Sequence, residues 1–140
     1  MILNFMVKKF PIWVLALIVI IVAIMNGAAN YWHLYFYIWW LDIPMHLIGG
    51  FWVGLTALVI YFSEKHTLPT NGSWGTVFAV ALGATLVVGI GWEVFEWSVD
   101  WINGMVHLDV TDTLADIGND FIGAIIATVL FTWKGYNTRI

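Results

Sequence analysis

Ionisable side chains are scarce in this sequence, and most of those that could do chemistry fall into three short sets. Asp42 and His46 stand four apart and Glu93 and Glu96 three apart, while Asp112, Asp116, Asn119 and Gly123 follow at steps of four, three and four. On a helix each close pair shares a face, with roughly 5–6 Å between β-carbons. At about 100° per residue, the third set falls within about 60° of arc. Carboxylates with one imidazole and an amide suit Mg²⁺, Mn²⁺, Ca²⁺ or Zn²⁺, and the residue types do not choose among these. Asp42, His46, Glu93, Asp112 and Asp116 are the expected ligands of such an ion. Glu96 is the expected general base toward a water molecule, and Asp116 is the acid expected to share in catalysis. Asn119, Asp120 and Gly123 are expected around the ligands rather than among them, Asp120 because it falls to one side of the Asp112–Asp116 stripe.

Most of these groups also have a plainer role. Asp42 and Asp112 stand at expected helix starts, where a carboxylate caps free N–H groups and meets the positive end of the dipole. His46 suits a hydrogen-bonded core histidine as well as a ligand, and Asn119 suits a hydrogen bond between helices. Asp116 lies more than a turn inside its helix, too deep for capping. Glu93 and Glu96 are expected near a helix C-terminal end, where the dipole disfavours anions, so a proton, a metal or a donor such as His46 must stabilise them.

The elements that must position these groups are membrane spans. Of the 140 residues 61% are hydrophobic and only 10% charged, with a mean hydropathy of +0.88. A soluble domain carries about 25% charged residues. The expectation is an all-α polytopic bundle of four transmembrane helices, one integral membrane domain over residues 1–140. There is no cysteine, which excludes disulfides, iron–sulfur clusters, thiolate zinc sites and cysteine nucleophiles. No basic patch suggests a nucleic acid partner.

The spans are expected at about 10–26, 43–62, 74–97 and 111–133. The first competes with a secretory signal, because Gly27-Ala28-Ala29 places small residues after its apolar run. Between the first two spans, Tyr31, Trp32, Tyr35, Phe36, Tyr37, Trp39 and Trp40 predict an interfacial aromatic segment. Pro44 falls in the first turn of the second span, where its missing N–H costs little. Gly50 and Gly54 form a GxxxG spacing that would let another helix approach. Pro69 and Asn71-Gly72 punctuate a loop over 63–73, and Asn103-Gly104 with His107 lie in the next connection.

Four spans sort the charges. Lys8, Lys9, Lys65, Lys134 and Arg139, all five basic residues, fall on the side of the termini, which the positive-inside rule makes cytoplasmic. Among the nine acids only Glu64 joins them. The other acids, with His46, are therefore expected at one extracytoplasmic end. Several carboxylates in one low-dielectric pocket need protons, a cation or water.

The three sets together resemble the VanZ-like family and the related small YjdF-type membrane proteins, over residues from about 40 to 130. VanZ-like sequences commonly carry glutamine at the second glutamate position and an arginine before the aspartate motif. This chain has Glu96 and no arginine between 98 and 110, and its Trp92-Glu93-x2-Glu96-Trp97 wording is nearer the YjdF type. The resemblance implies a multi-pass protein of the bacterial cytoplasmic membrane linked to the cell envelope. The expected partners are the bilayer and a lipid or lipid-linked ligand, and the glycine faces of the small bundle would allow self-association. Three readings stay open: a divalent-metal-dependent activity on a lipid headgroup or lipid-linked envelope precursor, a non-catalytic cation or ligand binding or transport module, and a polar cluster that only fixes helix register.

Overall fold

A computed structural model of the chain describes residues 10–64, 73–104 and 109–137. Among these residues the structure is helical: α1 (Trp13–Tyr31), α2 (Leu34–Tyr37), α3 (Asp42–Glu64), α4 (Trp74–Ile102) and α5 (Val110–Trp133). All but α2 are long and apolar enough to cross a membrane. Lys8, Lys9, Lys65, His66, His107 and Arg139, with the loop signals Pro69 and Asn71-Gly72, lie outside the described residues. Lys134 directly follows α5, at the end opposite Asp112 and Asp116.

Two helices run past their expected ends. Gly27-Ala28-Ala29 lies inside α1, which continues to Tyr31; alanine is the best helix former, and one glycine does not outweigh it. Likewise α4 continues to Ile102 and stops at Asn103-Gly104, where Gly104 takes a left-handed φ of 72°. Glu93 and Glu96 therefore sit well before the helix end, and the dipole penalty expected for them does not apply. Ser73 caps α4, its side chain accepting from the Thr76 N–H. The cap of α5 is Asp109, which accepts from the N–H groups of Thr111 and Asp112, so Asp112 is not the cap. The short α2 keeps Phe36 and Tyr37 exposed, as an interfacial segment would.

Helices α3 and α5 run parallel in the tightest contact of the bundle, and α4 packs antiparallel against both. Glycine makes the α3–α5 approach. A β-carbon on Gly50 would overlap the Asp120 backbone, one on Gly54 would press on Ala124, and one on Gly123 would overlap the backbone of Leu47 and Phe51. This is the packing face expected of the GxxxG spacing, and it suits a membrane, where close van der Waals fit replaces the hydrophobic drive between helices. Helix α4 contributes Val77, Ala81, Thr85 and Gly89, a ladder of small buried residues one turn apart.

The bundle divides along its length. Leu55, Leu58, Val59, Val77, Ala81, Ala127 and Phe131 form an apolar core toward one end. The first turns of α3 and α5 and the last turns of α4 form the other, acidic end. Helix α1 leans on α3 through Leu15, whose carbonyl accepts a 2.8 Å hydrogen bond from Trp52 Nε1.

Candidate metal centre

His46 lies one turn into α3, between α4 and α5. It is 6% exposed, and Asp116 and Asp120, one turn apart on α5, are residues buried as deeply at 5% and 7%. Both ring nitrogens face carboxylates. Nε2 is 3.6 Å from Asp42 Oδ1 and 3.8 Å from Asp116 Oδ1, while Nδ1 is 3.4 Å from Asp120 Oδ1. Parallel packing of α3 on α5 produces this. Gly50 lets Asp120 come level with it, and one turn back that register sets His46 beside Asp116.

One imidazole cannot balance three carboxylates. At about 4 Å and an effective dielectric near 20, a pair of unit charges interacts by about 4 kcal/mol, so the cluster needs protons or a cation. Its donors can converge on an ion. Asp42, His46 and Asp116 each offer one ligand atom, all within 4.8 Å of one another, and so do His46, Glu93 and Glu96. If Nε2 faces the ion, Nδ1–H faces Asp120, the second carboxylate that commonly orients a metal-bound histidine.

The structure thus brings Asp42 and Asp116 to His46 in one group of donors, and Glu93 and Glu96 to His46 in another. Asp112 does not converge with them. It is exposed and borders the rim of a cavity of about 910 Å³, in company with Glu93, Glu96, Asp100 and Asp109. Asp120, expected beside the stripe, approaches His46 more closely than any other acid. Asn119 is half-buried and joins neither group of converging ligand atoms. Gly123 is buried and admits the backbone of α3.

A polar clasp at the cavity wall was not anticipated. Tyr35 Oη donates to Asn26 Oδ1 at 2.8 Å, and Asn30 Nδ2 donates to the same oxygen at 3.0 Å. The four-residue spacing of Asn26 and Asn30 was the available signal, hidden because the first span was expected to end at 26. Burial pushes the Tyr35 phenol up to about 12, helped by the charges of Asp42 and Glu96, so it stays a neutral donor at physiological pH. Thr85, 1% exposed, carries a hydroxyl without a hydrogen-bond partner among the described residues.

No curated protein and no solved structure matches the chain. Residues 2–136 match the family described as "Predicted membrane protein (DUF2238)", and with nearly its whole length covered the chain belongs to that family of membrane proteins.

Proposed function

We propose that this membrane protein binds a divalent cation through Asp42, His46 and Asp116 and acts with it on a lipid headgroup or lipid-linked envelope precursor. The observation that carries this reading is the pairing of convergence with burial: three potential ligand atoms from two helices within 4.8 Å, two of the three residues buried, with Asp120 against the far nitrogen of the imidazole. A divalent ion held there would supply Lewis acidity and acidify a bound water. Glu96, within 4.8 Å of a His46 nitrogen, would take a proton from such a water, and Glu93 beside it would offer a further carboxylate oxygen. Asp112 serves the rim. The charge sorting in the sequence orients the acidic end away from the cytoplasm, and the partial resemblance of the three sets to the envelope-linked VanZ-like family makes envelope lipids the substrate class of this reading.

A reading without turnover, cation binding alone, shares the same first step. The test is therefore in two parts. Purified protein, stripped with chelator and repleted with Mn²⁺, is expected to hold about one ion per chain with at least micromolar affinity, on the order of −8 kcal/mol. Incubation with phospholipid or lipid-linked headgroup substrates then reads turnover. Binding with turnover lost in Glu96→Gln supports the enzyme; binding without any turnover leaves the binding module; no binding near neutral pH overturns both.

A further inference from the structure

Two hollows meet at the acidic end. Beside the large cavity a smaller one, about 200 Å³, runs between α1 and α4 with α3 as its floor; Val19, Val22, Trp52, Val53 and Val88 make most of its wall apolar, and His46 and Asp120 of the metal centre line its inner side. The two share Asn26, Tyr35, Asp42, Trp92 and Glu96, so the groove opens at its top into the polar cavity. Its flank is open because α1 leans on α3 and touches α4 little.

Gly49 lines this groove. Gly50, Gly54 and Gly123 are glycines because a neighbouring helix presses on them, but a β-carbon on Gly49 would meet nothing within 4 Å, and its φ is not in the left-handed range. Mid-helix glycine weakens a helix, and neither packing nor backbone geometry calls for one here. The open space beside Gly49 is the groove itself, so a side chain there would narrow it. An apolar slot at membrane depth, open to the side, fits an acyl chain.

The cavity above selects the headgroup. Asp100, Asp109 and Asp112 border it and are not used by the proposed metal centre; among the described residues no lysine or arginine borders it, and Tyr35, Trp92 and Trp97 supply aromatic rings. Carboxylates and ring faces both attract an ammonium group, and the same carboxylates repel an acidic headgroup. We propose that the groove and cavity together bind one phospholipid with an amine-bearing headgroup, its acyl chain entering sideways between α1 and α4 and lying against Gly49, its amine among Asp100, Asp109 and Asp112. This deepens the reading of the acidic end as a lipid-headgroup site and rests on it.

The probe is an equal mixture of phosphatidylethanolamine and phosphatidylglycerol with identical acyl chains, offered to purified protein in detergent with a chelator present and read by native mass spectrometry. One phosphatidylethanolamine per chain is expected, preferred by about tenfold, a selectivity within reach of one desolvated cation–π and carboxylate pairing. Gly49→Leu, whose β-carbon would meet nothing within 4 Å, projects its side chain into the groove and is expected to lower retention by about tenfold or more. Gly83→Leu is the control, since Gly83 also has nothing within 4 Å of a β-carbon and lines neither hollow. Asp100→Asn with Asp112→Asn is expected to erase the headgroup preference while a lipid is still retained. Equal retention by Gly49→Leu and wild type, or equal binding of phosphatidylglycerol, overturns the proposal. The groove shares Asp42, His46 and Glu96 with the metal centre, and the chelator lets lipid retention be read without a bound ion: lost ion binding with lipid retained removes the metal centre only, and the converse removes the lipid site only.

Discussion

Adjacent glycines on α3 make opposite predictions, and the contrast tests the helix packing on which the site depends. At Gly50 an alanine methyl would lie 2.6 Å from the Asp120 carbonyl carbon, where ordinary contact begins at 3.4 Å. The obstruction is backbone, which cannot swing aside as a side chain can. Helices α3 and α5 must part by most of an ångström, and overpacking of this kind costs about 1–3 kcal/mol. Gly49→Ala meets nothing and gains up to about 1 kcal/mol of helix propensity. Both variants share that propensity gain, so the difference between them is the overpacking cost, about 1–3 kcal/mol, with Gly49→Ala the more stable. Reversible unfolding in mixed detergent, followed by far-ultraviolet circular dichroism, reads the difference. The same separation would lengthen the 3.4 and 3.8 Å approaches of His46 to Asp120 and Asp116, so Gly50→Ala should also weaken any ion binding that Gly49→Ala preserves. Equal stability of the two variants would refute the close α3–α5 contact.

Three further outcomes are expected. Asp120→Asn, removing the carboxylate that faces His46 Nδ1, should weaken divalent-ion affinity about 10–100-fold with little change in stoichiometry, as loss of an outer partner to a ligating histidine does; isothermal titration measures it. Trp52→Phe removes the hydrogen bond to the Leu15 carbonyl and should lower unfolding free energy by about 0.5–1 kcal/mol, read by the same detergent unfolding. Tyr35, whose phenol is pushed up to about 12 against about 10 in an unfolded chain, should give stability that is whole below pH 10 and lost as pH rises to about 12. Tyr35→Phe should flatten that alkaline loss and remove the latest component of the tyrosinate absorbance titration.

The apolar runs made the four spans legible, and the glycine spacing at Gly50 and Gly54 marked the face on which α5 lies. Helix ends were less so. A small-residue step at 27–29 looks like a break on paper, yet alanine carries α1 through it, while the true stop of α4 needed the left-handed Gly104. The dipole argument for Glu93 and Glu96 failed with that boundary. Angular position on α5 was informative only within limits. Asp120, about 80° from Asp112 on the helical wheel, is buried because α5 packs against two helices, and its inward face is wider than one stripe. Asp112 keeps the right angle but lies in the first turn, beyond the packed length, so it reaches the rim instead of the cluster. Pairwise spacing within one helix can be read from a sequence; the relative height of residues on different helices depends on register, which here is set by the contacts of Gly50, Gly54 and Gly123.

The most direct test of the metal centre is the electron spin echo spectrum of Mn²⁺ bound to the purified protein. Nitrogen modulation from one directly coordinated imidazole is expected, abolished in His46→Gln and retained in His33→Gln. Bound Mn²⁺ without nitrogen modulation, or modulation that survives His46→Gln, would contradict a centre built on Asp42, His46 and Asp116.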